Sequence, residues 1–299
     1  MATALVALFL PTTVLPDISN RSFYHLWESG HLLLFFLGCH AFHNFYPQPF
    51  NLTSAKKFGI FLCIAASCAL TIEGLQSFFS GKSLEFSDIV GDMAGVLLYL
   101  SFRSYYQGAN NFFIHGLALL LAGFVFWPVF SSFADEMLAK YQFPVLADFE
   151  TPFEVSRFEG RTGSAMISGE QAYQGQHSLR LSFSPGPWSG MMLKHFPSNW
   201  QRYNQLCFAA YNPHSQPVTL HVRIHDGLHE RGNKAYSDLY SRMCLLPAGH
   251  WTKVEIPLAM VYSAPSTRRM DLANIRGLGF FVEKEEQPLM LYLDNIRLE

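Results

Sequence analysis

Residues 111–130 read NFFIHGLALLLAGFVFWPVF, and residues 218–225 read VTLHVRIH. The first stretch holds no charged side chain and has about the 20-residue length that carries a helix across the hydrocarbon core of a bilayer. The second alternates apolar and polar side chains at period two, the pattern of a strand with one face buried. A membrane-embedded helical half is therefore followed by a soluble β half.

Composition divides at the same place. Residues 1–146 carry 14 charged side chains and residues 147–299 carry 30. A hydrophobic content of 49% excludes a disordered polymer. Neither half has the basic surplus that neutralises phosphates, so no nucleic-acid partner is expected.

Outward from 111–130, further apolar runs lie at 3–16, 30–46, 58–80 and 86–102. They predict an α-helical membrane bundle of about five transmembrane helices in a domain of residues 1–131, then a juxtamembrane linker at 132–145. The first run is the weakest, because Pro11 interrupts it. It does not read as a secretory signal, since no Lys or Arg precedes it and no small-x-small site follows. With five spans, Lys56, Lys57 and Arg103 lie on one side, against Arg21 and Lys82 on the other. The basic side is the cytoplasmic one, which places everything after residue 131 outside the cytoplasm.

Polar side chains in this half are few and clustered. His31 opens the second run, Glu73 and Gln76 close the third, Lys82 sits in the loop after it, and Asp88 and Asp92 open the fourth. Ionisable groups at membrane depth face a bundle interior or water and are the first candidates for function. The alternative is structural: Lys82 solvated in its loop and Asp88 serving a helix N-terminus.

The run Glu73-Gly-Leu-Gln76, Gly81-Lys82, Asp88-Ile-Val-Gly-Asp92-Met-Ala-Gly95 resembles the VanZ-like family pattern E-x-x-Q, G-R, D-[IV]-x-x-N-x-x-G over about residues 1–105. Lys82, Asp92 and Glu28 stand where that family usually has Arg, Asn and Lys. Lys82 lacks the planar fork with which an Arg grips a phosphate or carboxylate. The resemblance implies a multi-pass protein of the bacterial inner (cytoplasmic) membrane, in contact with membrane lipid and engaged in envelope biology. It implies no settled reaction.

In the β half, strands are expected at 146–150, 153–158, 177–184, 190–196, 205–211, 218–225, 240–246, 251–258, 276–283 and 288–297, broken by turns such as SPGPWSG and NPHSQP. That many short strands predict an all-β antiparallel sandwich, a jelly roll, as a domain of residues 146–299. The opening Asp148-Phe149-Glu150, the run Gly175-Gln-His-Ser-Leu-Arg-Leu181 and the closing Tyr292-Leu-Asp294-Asn295-Ile296 resemble the galactose-binding-like carbohydrate-binding modules. That resemblance implies a polysaccharide or envelope glycan as partner, and a structural calcium at Asp148, Glu150 and Asp294 with main-chain carbonyls. Calcium takes six to eight oxygens. Turn stabilisation by these acids is the competing reading.

A sugar presents flat C–H faces and polar edges, so its site pairs exposed aromatics with hydrogen-bonding groups. Trp188, His225, Asp226, His229, Tyr236, Tyr240 and Arg242 are the candidates, with Trp200 and Tyr203 expected to cap the core. His225-Asp-x-x-His229 is no metalloprotease motif, because in a strand side chains four apart are separated by more than about 10 Å. No nucleophile elbow or phosphate loop appears, so a catalytic site is not expected. Cys207 and Cys244 are the two cysteines of this half, and an extracytoplasmic location permits a disulfide that spacing does not establish. The expected function is non-catalytic glycan binding at the membrane. A membrane enzyme or transporter for a lipid-linked or anionic envelope substrate, acting at the Glu73/Gln76/Lys82/Asp88/Asp92 cluster, is the alternative.

Overall fold

A computed structural model describes residues 21–45, 55–80, 86–108, 112–160 and 162–299. They form two compact units, residues 1–133 and 134–299. The first expected span at 3–16 and Lys82 lie outside the described residues, and so does the side chain of Gln76.

The first unit is helical. Its helices are α1 (Arg21–Glu28), α2 (Gly30–Phe45), α3 (Ala55–Ser80), α4 (Phe86–Tyr106) and the start of α5 (Phe112–Gln142). Among the described residues, two of them are long and apolar enough to cross a membrane: α3 through Leu62–Phe79, and α5. Five spans were expected. The 16 residues of α2 are short for a crossing, and α4 carries Asp88, Asp92 and Arg103. What holds α2 to α4 is close backbone approach: a Cβ placed on Gly95 would collide with the Leu32 carbonyl, and one on Gly91 would touch His31 Cβ at 3.5 Å. Two glycines four apart leave a groove that a neighbouring helix backbone enters. Val96, Tyr99 and Leu100 are buried on the same helix.

The second unit is an antiparallel β-sandwich. One sheet is six-stranded, ordered β3 (Gly163–Ser168), β4 (Ser178–Phe183), β11 (Leu289–Leu298), β6 (Gln205–Tyr211), β9 (Trp251–Pro257), with β1 (Val145–Ala147) also on β11. The other is five-stranded, ordered β2 (Phe158–Glu159), β5 (Gly186–Leu193), β10 (Ile275–Glu285), β7 (Val218–Asp226), β8 (Tyr240–Leu246). Alternation along β7 buries Leu220, Val222 and Ile224 against the other sheet. Phe208 and Phe280 meet edge to face across the core at 5.3 Å. Trp200 is fully buried, with Phe196 at 5.5 Å and its indole N–H donated to the Pro197 carbonyl.

Two local expectations change, and the open question of the cysteines is answered. The strand expected at 153–158 is replaced over Pro152–Arg157 by a 3-10 turn that Pro152 opens. Its Glu154 turns inward and accepts the main-chain N–H groups of Asp148 and Phe149. Strand β3 was not expected, because its small residues (GSAMIS) show no strong alternation. Cys207 and Cys244, on strands of different sheets, are both buried free thiols.

Candidate functional site

The outer face of the five-stranded sheet is built by register. Phe281 of β10 lies opposite Gly190 of β5 and His221 of β7; Gly279 lies opposite Met192 and Arg223. A Cβ on Gly190 or on Gly279 would strike the Phe281 ring, so the two glycines let that ring lie flat along the sheet. Arg223 stands over this floor. Its guanidinium carbon is 4.3 Å from the Trp188 ring centre, 4.8 Å from Phe281 and 5.2 Å from Tyr236. His221 meets Trp188 edge-on at 5.3 Å. Burial first, opposed by the nearby Glu283 and aided by Arg223, holds the His221 imidazole below its usual pKa, so it is neutral near pH 7. Trp188 is 41% exposed and Tyr236 59% exposed, which leaves their rings open to a ligand.

Tyr236 reaches the platform from the loop after β7, and an ionic network centred on the buried Asp226 fixes that loop. Asp226 caps the short helix α6 (Gly227–Arg231) by accepting the His229 N–H at 3.0 Å. Arg268 spans from Asp226 (2.6 and 2.8 Å) to Asp238 (2.7 Å). Asp226 also accepts the Asp271 N–H at 2.7 Å. Tyr236 donates its hydroxyl to Ser241 at 2.8 Å.

Of the expected carbohydrate residues, the structure brings Trp188 and Tyr236 together. His225 follows on the outward side of β7 and pairs with Glu230 at 3.3 Å, stacking against His229 at 5.2 Å. Asp226 and His229 belong to the network beneath the loop. Tyr240 turns into the core and is 5% exposed. Arg242 donates to the Glu255 carbonyl. Arg223, His221 and Phe281 are the residues the sequence reading missed, although the alternation of β7 already placed His221 and Arg223 on its outward side.

The three carboxylates expected to hold calcium each face main-chain N–H groups. Glu150 accepts from Gln176 and His177, and its other oxygen meets the His177 ring at 3.2 Å. Asp294 Oδ2 accepts from Tyr173 at 2.7 Å and Gln174 at 2.9 Å. Asp148 accepts the Glu150 N–H at 3.4 Å. Among the described residues no three His, Cys, Asp or Glu side chains are grouped as a metal-binding set. One oxygen is different: Asp294 Oδ1 is buried with no hydrogen-bond partner, and burial pushes that carboxyl above its usual pKa. A lone buried carboxylate oxygen suits a hard cation.

In the helical unit, His31 Nδ1 lies 3.0 Å from Asp92 Oδ1, and Nε2 lies 3.8 Å from Asp88 Oδ2. Asp92 is 1% exposed, and Glu73 is also buried, close enough to act on both His31 and Asp92. Thus α2, α3 and α4 bring four of the six expected membrane-cluster residues together.

No family model and no curated protein matches the chain, so the VanZ-like resemblance rests on the quoted residues alone. Among solved structures the chain is similar to an exo-beta-agarase (16% identity, TM-score 0.42), over 52% of this chain and 24% of that one. It is also similar to the family 11 carbohydrate-binding module from Clostridium thermocellum in complex with a beta-1,3-1,4-mixed-linked tetrasaccharide (17%, TM-score 0.38; 52% and 93%). A third is a xylan-binding domain from Paenibacillus barcinonensis (18%, TM-score 0.36; 50% and 90%). The chain thus spans about a quarter of the agarase's length.

Proposed function

We propose that the β-sandwich binds a polysaccharide or envelope glycan, without catalysis, on the outer face of its five-stranded sheet. The observation that carries this is the exposed Trp188–Arg223–Tyr236 stack above the flat Phe281 ring. Aromatic faces pair with the C–H faces of a sugar ring, while Arg223 and the Ser241 and Tyr236 hydroxyls offer polar edges. A glycan array probed with the detergent-purified full chain tests it: binding to a coherent set of glycans supports the reading, and binding to none removes it.

The two apolar helices support presentation of the sandwich at a membrane. The finer reading is a multi-pass protein of about five spans in the bacterial inner membrane, its sandwich outside the cytoplasm. A periplasm-only reporter enzyme fused after Glu299 is then active and a cytoplasm-only reporter silent; the reverse result overturns that orientation. Calcium belongs to the same proposal. It would be held through Asp294, Glu150 and Asp148, complete its shell with carbonyl oxygens, and fix the 171–178 loop to β11. A higher melting temperature in calcium than in chelator supports it, and identical melts refute it.

The pairing of His31 with Asp92 favours a second reading, a polar membrane site for a lipid-linked or anionic envelope substrate, in which Glu73, Asp88 and Asp92 take part beside Gln76 and Lys82. Under it, Glu73→Gln abolishes a cellular phenotype at normal protein level. A normal phenotype in that variant counts against it.

A further inference from the structure

The platform holds an arginine without a carboxylate. Other arginines of the sandwich are matched to carboxylates, Arg157 to Asp135, Arg268 to Asp226 and Asp238, and Arg297 to Glu299, whereas Arg242 donates to a carbonyl. Arg223 has no carboxylate partner by hydrogen bond or ion pair among the described residues, and its Nε is buried without a hydrogen-bond partner. It is held by ring faces alone. Stacking occupies the faces of a guanidinium and leaves its in-plane N–H donors directed along the sheet face, where a bidentate acceptor completes them.

Among the described residues none of the groups around it forms an ion pair with its guanidinium. His221 is neutral near pH 7. Glu283, opposite Trp188 in the register, is close enough to act on His221, and the exposed Lys284 Nζ lies 3.9 Å from it. His225, near the end of β7, pairs with Glu230 of α6.

We propose that the glycan bound here is anionic, carrying carboxylate or sulfate groups, and that Arg223 grips such a group in plane while Trp188 and Phe281 hold the guanidinium flat. The inference rests on the reading of this face as a glycan site. A fixed, stacked fork loses little freedom on binding and discriminates strongly, because a neutral ligand leaves its donors unmet. At acidic pH a protonated His221 adds a second positive charge beside it, so affinity for an anionic glycan rises as pH falls.

The test measures binding of the detergent-purified full chain to immobilised polygalacturonate, a sulfated galactan and a neutral mixed-linkage β-glucan, at low and at high salt. The expected result is a preference of about tenfold or more for one anionic polymer over the neutral one, weakened by salt. Which anionic polymer is preferred assigns carboxylate or sulfate. Arg223→Met, which keeps an unbranched apolar chain beneath the rings, loses that preference, because it weakens anionic binding about tenfold or more beyond any loss on the neutral polymer. Arg223→Lys keeps the charge without the fork and retains part of it. Thermal melts matching wild type show that the variants fold. Equal wild-type affinity for all three polymers, or an equal loss on anionic and neutral polymers in Arg223→Met, overturns the inference and leaves the glycan reading standing. No binding to any of them, together with no glycan bound on the array, overturns both.

Discussion

Arg157 and Asp135 form an ion pair at 2.8 Å with both side chains wholly removed from solvent. The two residues are 22 positions apart. Arg157 also donates to the Leu146 carbonyl at 2.7 Å, so this one guanidinium ties the end of α5 to the start of β1. The last turns of the helix are therefore part of the sandwich fold, in keeping with a unit that begins at Ala134. Removing one partner of a buried pair strands the other charge and costs about 3–5 kcal/mol. A fragment of residues 134–299 should accordingly melt well above one of residues 146–299, and Asp135→Ala should lower the longer fragment toward the shorter. Equal melting temperatures for the two fragments would show that the pair contributes nothing.

Close approach of α2 and α4 gives a prediction in the other unit. A methyl group at Gly95 meets the Leu32 carbonyl, whereas one at Gly116 meets nothing within 4 Å. Gly95→Ala should destabilise the detergent-purified protein by about 1–3 kcal/mol, as overpacking does. Gly116→Ala should be neutral or better, because alanine favours the helix. Heat-induced aggregation followed by size exclusion separates the two, and identical behaviour of both variants contradicts the packing described.

Acid should loosen the loop that carries Tyr236. Burial first, and then the nearby His225, hold His229 below the ordinary imidazole value of 6.5. A depressed pKa means that the neutral form is favoured by folding. Its stabilising contribution is complete above about pH 6.5 and is lost as pH falls through the folded value. His221 titrates with the same sign. The carboxyls of Asp226 and Asp238 are also held below their usual values, so their share is lost only at lower pH, below the ordinary aspartate range. The melting temperature of the 134–299 fragment should fall between pH 7 and pH 5, and less steeply in His229→Asn. An unchanged slope in that variant would remove His229 from the account.

Much of this was readable in the residues. The loss of helical period near residue 146 and the strict alternation of Thr219-Leu-His-Val-Arg-Ile224 announced a sandwich with one buried sheet face. The platform was less legible, because it depends on register between strands that are distant in sequence. Phe281 and Arg223 are 58 positions apart and meet only because β10 lies between β5 and β7. The sequence drew attention instead to the polar run 225–231, much of which the structure spends on capping α6 and anchoring its loop. The Glu154 turn and the Asp135–Arg157 pair are long-range satisfactions of buried charge, which no local pattern signals.

The central claim is that Trp188 and the stacked Arg223 form a glycan-binding surface. It is tested most directly by the affinity of the full chain and of Trp188→Ala for the strongest ligand on a glycan array. Truncating an exposed aromatic anchor at a binding site costs about 2 kcal/mol or more, which is well over tenfold in affinity. The prediction is a loss of at least about tenfold with no change in melting temperature, since Trp188 lies outside the core. Wild-type affinity in Trp188→Ala would contradict the account.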